Sequence, residues 1–217
     1  MKQKTLFIVS AVVLLLVFVA AALFYTSQKQ ETVTQAVTRN QTNLVRMYSP
    51  TEGPADAKVT IVDFFDPACG TCRDFYPFVK QLMHEHPGQV RVVLRHAPFH
   101  EGSVEVVKIL EAARRQGKYF ETLEALFASQ DDWVINHRVQ ADRVWDALAG
   151  VGPDLDRIRE DMNAPEIAAQ IDQDLTDAKA LNITMTPEFF VNGRAMPSFG
   201  YDQLRALVEE AVAENYR

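Results

Sequence analysis

The sequence predicts an α/β domain interrupted by a block of helices and preceded by an apolar N-terminal helix. Three observations carry that reading: a strand, helix, strand succession around "FFDPACGTCRDFYP", a region from about residue 101 to 181 with helical periodicity but no convincing strand, and the run "LFIVSAVVLLLVFVAAALFY" near the start. An apolar fraction of 47% over 217 residues is ample for one buried core. The formal net charge of −7, with no Lys/Arg cluster in the later chain, argues against a nucleic-acid partner.

Lys2 and Lys4 precede the apolar run from Leu6 to Tyr25. The apolar part of a signal peptide is roughly 7 to 15 residues, whereas a helix needs about 20 to span a bilayer. Residues 1–25 therefore fit a membrane anchor, with residues 6–25 in the inner membrane, while Ala20 and Ala22 offer the A-x-A site of a cleaved signal. In either case the lysines stay inside and the rest of the chain is exported to the periplasmic side of the cell envelope, where disulfides persist. Residues 26–50, rich in Thr and Gln, read as a tether, and the folded domain is expected over 51–217. Pro50, Gly53 and Pro54 supply the turn chemistry of its lead-in.

"KVTIVDFF", β-branched and aromatic, reads as a buried strand ending just before the cysteines. Phe75, Phe78, Val79, Leu82, Met83 and His86 then repeat at helical spacing until "HPG", after which "QVRVVLR" reads as a second, parallel strand. Helical patterns follow at Val104–Gln116, Tyr119–Ser129, Ala141–Ala149, Asp154–Met162 and Pro165–Leu181, the last with proline in its first turn. In "PEFFVNGRAMP" the Asn192-Gly193 pair signals a hairpin, and a last helix is expected over Asp202–Ala213.

Cys69 and Cys72, the two cysteines of the chain, stand at the start of the first helix, at the carboxyl end of the first strand. A sulfur at a helix N-terminus accepts backbone N–H bonds and feels the positive end of the dipole, which favours thiolate, the nucleophile of disulfide exchange. Cys69 is therefore expected to attack, and Cys72, one turn later, to resolve the mixed disulfide. A zinc site would need two of the five histidines, none at zinc-finger spacing. A purely structural bridge across so short a loop would contribute little stability.

"VDFFDPACGTC" resembles the active-site segment of the thioredoxin superfamily: strand, acid, aromatic, then C-x-x-C opening a helix. The resemblance implies a proton-relay role toward Cys72 for Asp63, six residues before Cys69. Pro77 matches the proline that kinks this helix. "MTPEFFVNGR" resembles the segment that carries the superfamily's cis-proline, which implies a cis Thr186-Pro187 peptide facing Cys69 and a Thr186 backbone that pairs with substrate. With the dipeptide Gly70-Thr71 these make up the implied substrate-binding set. The helical block of about 101–181 is similar to the DsbA-like branch, so the implied architecture is a thioredoxin fold with a helical insertion. Gly70-Thr71 departs from the Pro-His of strongly oxidising members, which bears on redox direction.

The resemblance implies a thiol-disulfide oxidoreductase acting on cysteine-containing exported proteins and reset by an integral-membrane redox partner. Oxidation is the preferred direction and reduction or isomerisation the alternative. A copper-binding envelope module and a purely structural exported domain are readings of other classes. No cofactor or metal is expected. His96 and His100 follow the second strand, where loop histidines are more often packed than catalytic, and Trp133 and Trp145 read as core of the helical block.

Overall fold

The computed structural model describes residues 43–216. The expected anchor or signal segment and all of the tether before residue 43 lie outside them. Among the described residues no helix is long and apolar enough to cross a membrane.

A five-stranded sheet runs in the order β1-β3-β2-β6-β7, comprising β1 (Thr51–Glu52), β2 (Val59–Phe65), β3 (Val90–His96), β6 (Glu188–Val191) and β7 (Arg194–Ala195). β2 and β3 are parallel, in register from Val59↔Val90 to Phe65↔His96, joined by helix α1 (Gly70–Glu85). β6 pairs antiparallel with β2, setting Asp63 opposite Phe189. Because side chains alternate along a strand, Ile61, Asp63 and Phe65 share one face of β2. Ile61 and Phe65 there join the core with Phe75, Val79 and Leu82 of α1, while Val62 and Phe64 join Phe190, Ala178 and Ile183 on the other face. Asp63 is thereby held between apolar neighbours under α1. Asn192 (φ 48°) and Gly193 (φ 84°) close the expected hairpin with two left-handed residues, as a type I′ turn requires.

The insertion between β3 and β6 holds α2 (Ser103–Arg115), α3 (Tyr119–Ala128), α4 (Gln130–Trp133), α5 (Ala141–Leu148), α6 (Leu155–Asp161) and α7 (Pro165–Ala180), and α8 (Tyr201–Asn215) closes the described chain. Trp133 is fully buried in the core of this block, its indole N–H donating to Leu126 O at 2.9 Å.

The structure differs from the sequence reading in two places. The helical block contains a two-stranded ribbon, β4 (Val134–Ile135) with β5 (Arg138–Val139), turned by Asn136 and His137, both at positive φ. Strands of two residues leave no periodicity to read, and Asn-His is a weaker turn signal than Asn-Gly. Gly102 (φ 85°) lets this ribbon approach α2, since a Cβ there would stand 2.9 Å from Val139 Cβ.

The second difference is that the last residues assigned to the tether are packed on the domain, and Thr51–Glu52 add an edge strand to β3. Leu44 is buried, and Arg95, fully buried beneath it, donates to the carbonyls of Asn43 (2.6 Å) and Leu44 (2.8 Å). The same guanidinium bonds Asp174 (2.8 Å) and Asp177 (2.6 Å) of α7. Arg46 adds a two-pronged bond to Asp177, and Tyr48 Oη donates to Asp174 at 2.7 Å. A buried cation must be matched by acceptors, and the backbone at residues 43–44 supplies two of them. Such long-range matching has no local sequence signature.

Candidate active site

Cys69 is the N-cap of α1, with extended backbone (φ −83°, ψ 118°), and its Sγ accepts the Cys72 N–H at 3.4 Å. Extended geometry at this position turns the side chain back over the first helical turn, where the unpaired N–H groups are. Both cysteines are free thiols and buried. The Cys69 thiol is lowered to about 6, chiefly by the hydrogen bond from the Cys72 side chain, against the cost of burial, with further help from the Thr186 side chain and the N–H groups of Cys72 and Thr71. The Cys72 thiol moves the opposite way, raised by burial, by the hydrogen bond it gives Cys69 and by the nearby Asp63 charge. One cysteine is set to ionise and the other to stay protonated.

The Thr186-Pro187 peptide is cis, and in its thiol form Cys69 Sγ donates to the Thr186 carbonyl at 3.3 Å. A segment 117 residues away thus closes one side of Cys69. Gly70 and Thr71 are exposed at the rim. Asp63 is only 4% exposed, and its Oδ1 is buried without a hydrogen-bond partner. Burial first, and then the Cys69 charge, raise its carboxyl well above the ordinary range. The Asp63 charge raises the Cys72 thiol, while the charge that raises the Asp63 carboxyl is that of Cys69. Cys69, Cys72, Asp63, Gly70, Thr71, Thr186 and Pro187 therefore meet at this end of the sheet.

Two further residues build the site. Asp66, fully buried in the turn from β2 to Cys69, accepts from the Ala68 N–H (2.8 Å), the His100 N–H (2.8 Å), the His100 ring Nδ1 (2.7 Å) and the Ser103 hydroxyl. It ties the cysteine turn to the loop after β3, and His100 serves that tie. His96 lies instead in the core, between Tyr119 Oη (2.8 Å) and Asp174 (3.2 Å). Gln130 of α4 also reaches the cysteine turn. A D-P step after a strand could have flagged Asp66 as a turn former. Nothing local flags Gln130. Among the described residues no group of three or more His, Cys, Asp or Glu is arranged to hold a metal ion.

The family model described as "Thioredoxin" matches residues 45–210. Among solved structures, a thioredoxin-like oxidoreductase from Silicibacter pomeroyi is 32% identical, with a TM-score of 0.67, over 77% of this chain and 94% of that one. The thiol-disulfide exchange protein alpha-DsbA2 from Wolbachia pipientis has a TM-score of 0.68 at 21% identity, over 84% of this chain and 97% of that one, a likeness of fold. Among curated proteins, the Na(+)/H(+) antiporter NhaA 3 of Salinispora tropica is 33% identical over 169 residues, which are 74% of this chain and 24% of that protein. The chain spans about a quarter of the length of the curated relatives it matches.

Proposed function

On the premise that the chain belongs to the thioredoxin family and has a DsbA-like fold, we propose that it is a thiol-disulfide oxidoreductase that oxidises cysteine pairs of exported proteins. The observation that carries this reading is the opposed tuning of Cys69 and Cys72 at one helix end, with the cis Thr186-Pro187 peptide against the first sulfur and Asp63 behind the second.

In the oxidised enzyme a substrate thiolate attacks Cys69 Sγ. The Cys69–Cys72 bond breaks, a substrate–Cys69 disulfide forms, and Cys72 leaves with the electron pair. Cys72 holds its proton strongly, so its thiolate takes one up, and Asp63 is the buried acid that delivers it. A second substrate thiolate then attacks the first substrate sulfur and Cys69 departs as a stable thiolate. Two electrons have passed from substrate to the enzyme's pair. Thr186 presents backbone groups to an extended substrate, and Gly70 and Thr71 leave room at the rim. Stabilising the Cys69 thiolate stabilises the reduced enzyme, which favours oxidation of substrate.

An integral-membrane partner would reoxidise the pair, and residues 6–25 would hold the domain near it at the periplasmic face, or release it if cleaved. The domain division proposed is anchor or signal 1–25, tether, and catalytic domain with its insertion. Reduction or isomerisation is the second reading, favoured by Gly70-Thr71, which brings no histidine charge beside the thiolate.

The deciding experiment equilibrates the enzyme against a glutathione series and counts thiols by alkylation. An easily reduced pair supports oxidation, and a pair that resists until glutathione is strongly reducing replaces it with the reductase or isomerase reading. Loss of all exchange in Cys69→Ser is expected. Unchanged exchange in that variant would remove Cys69, and with it the enzyme reading, leaving stoichiometric copper binding at the reduced pair as the next measurement.

A further inference from the structure

Gln130 sits in α4, 61 residues beyond Cys69, and is 3% exposed. Its Nε2 donates to the Pro67 carbonyl at 2.8 Å and to the Cys69 carbonyl at 3.2 Å. Both acceptors belong to the turn that enters the active-site helix. The Cys69 carbonyl also accepts the Arg73 N–H at 3.2 Å, and no backbone N–H among the described residues bonds the Pro67 carbonyl. Gln130 Oε1 lies 3.8 Å from where a Cβ on residue 70 would stand, so the carboxamide lies alongside the C-x-x-C turn itself.

The hydrogen bonds to Cys69 Sγ depend on the backbone geometry of the N-cap. With extended backbone at Cys69 (ψ 118°), its carbonyl accepts from Gln130 and from the Arg73 N–H, while the N–H groups of Thr71 and Cys72 bond the sulfur. A change of ψ at Cys69 turns its side chain relative to the first helical turn and carries Sγ away from the N–H groups of Thr71 and Cys72. The peptide plane is held at its oxygen by two donors, one from α1 and one from the insertion.

We propose that Gln130 is a positioning residue for the Cys69 nucleophile: by holding the Pro67 and Cys69 carbonyls it fixes the N-cap geometry in which the first-turn N–H groups reach Sγ. The helical insertion thereby takes part in exchange chemistry through one side chain. This deepens the oxidoreductase reading and rests on Cys69 being its nucleophile.

Two variants of the full chain test it, Gln130→Met, of similar length without a donor, and Gln130→Glu, which sets a carboxylate against two carbonyl oxygens. The readout is the pH profile of iodoacetamide alkylation of Cys69 in the reduced protein, with urea unfolding in parallel. The expected result for Gln130→Met is an alkylation midpoint about one pH unit higher and a rate at pH 6 about fivefold lower, as the thiolate fraction falls. Gln130→Glu is expected to shift further in the same direction. A folded Gln130→Met with the wild-type midpoint overturns the proposal, since a merely structural glutamine would alter unfolding alone. Should Gln130→Met not fold, Gln130→Glu decides by the same criterion. Alkylation reads the thiol directly, so failure of the oxidoreductase reading, seen as absent exchange in the unmutated protein, stays distinct.

Discussion

Asp63 and Asp174 are both buried carboxylates within reach of the central sheet, 4% and 1% exposed, yet their surroundings are opposed. Asp174 accepts from Arg95 Nε (3.1 Å) and Nη2 (2.8 Å), from Tyr48 Oη (2.7 Å) and from the His96 N–H (2.9 Å). Burial alone would raise its carboxyl, but the His96, Arg95 and Tyr48 contacts outweigh it and hold Asp174 at about 2. Its neighbour Asp177 is lowered too, burial being outweighed by Arg46 and Arg95. Asp63 has neither cation nor donor on Oδ1, and burial drives it up. A buried acid that is fully matched holds structure together, and one left unmatched keeps a proton that chemistry can use.

The linkage signs differ accordingly. Asp174 and Asp177, depressed in the folded state, contribute stability that is present above the ordinary carboxylate value and is lost as pH falls through about 2 for Asp174. Asp63, raised in the folded state, contributes most below its unfolded value near 3.9, and that contribution is lost as pH rises through the folded value.

The contrast is broken most severely at Arg95. Arg95→Met takes the arginine from buried Asp174 and leaves Asp177 with Arg46 alone, and is expected to destabilise by about 3–5 kcal/mol in urea unfolding, while exchange per folded molecule stays at the wild-type level. Should stability hardly change, the matched cluster is not what secures residues 43–48. Next in size, Asp63→Asn is expected to slow exchange about 100-fold, the low end of general acid–base effects. The same variant should gain about 1–3 kcal/mol of stability at pH 7, a gain that fades as the pH approaches 4. An exchange rate equal to wild type would show that Cys72 finds its proton elsewhere.

A smaller effect separates the two sulfurs. Cys69 alkylation should be half-maximal near pH 6, and Cys72→Ala, which removes the largest stabilising bond, should move that midpoint up by about one unit, equal to about 1.4 kcal/mol. An unmoved midpoint would assign the low value to the helix end and Thr186 instead. Smallest of all, Tyr48→Phe removes one donor from Asp174 and should cost about 1 kcal/mol in stability with no change in exchange rate.

Where chemistry is local, the sequence was legible. Strand, C-x-x-C and helix follow each other within one stretch, so the position of Cys69 at a helix N-terminus, the parallel β2–β3 pair and the Asn192-Gly193 turn could be read from spacing and turn type. The resemblance to a known family supplied Asp63 and the cis Thr186-Pro187 peptide, which spacing alone leaves as an acid in a strand and a proline before one. The ribbon at Val134–Val139 was hidden because its strands are too short to show alternation.

By itself, then, the sequence determined a pair of cysteines at C-x-x-C spacing, the order of strands and helices around it, and the expectation of a membrane or export segment at residues 6–25, because hydrophobic period, turn chemistry and Cys spacing all act over a few residues. Only the tertiary structure decided which polar groups are matched. Gln130 meets Cys69, Asp66 meets Ser103, and Arg95 meets residues 43–44 across long stretches of chain. A buried polar group takes whichever partner the packed core brings within about 3 Å, and neither member of such a pair carries a mark of the other in its own neighbourhood.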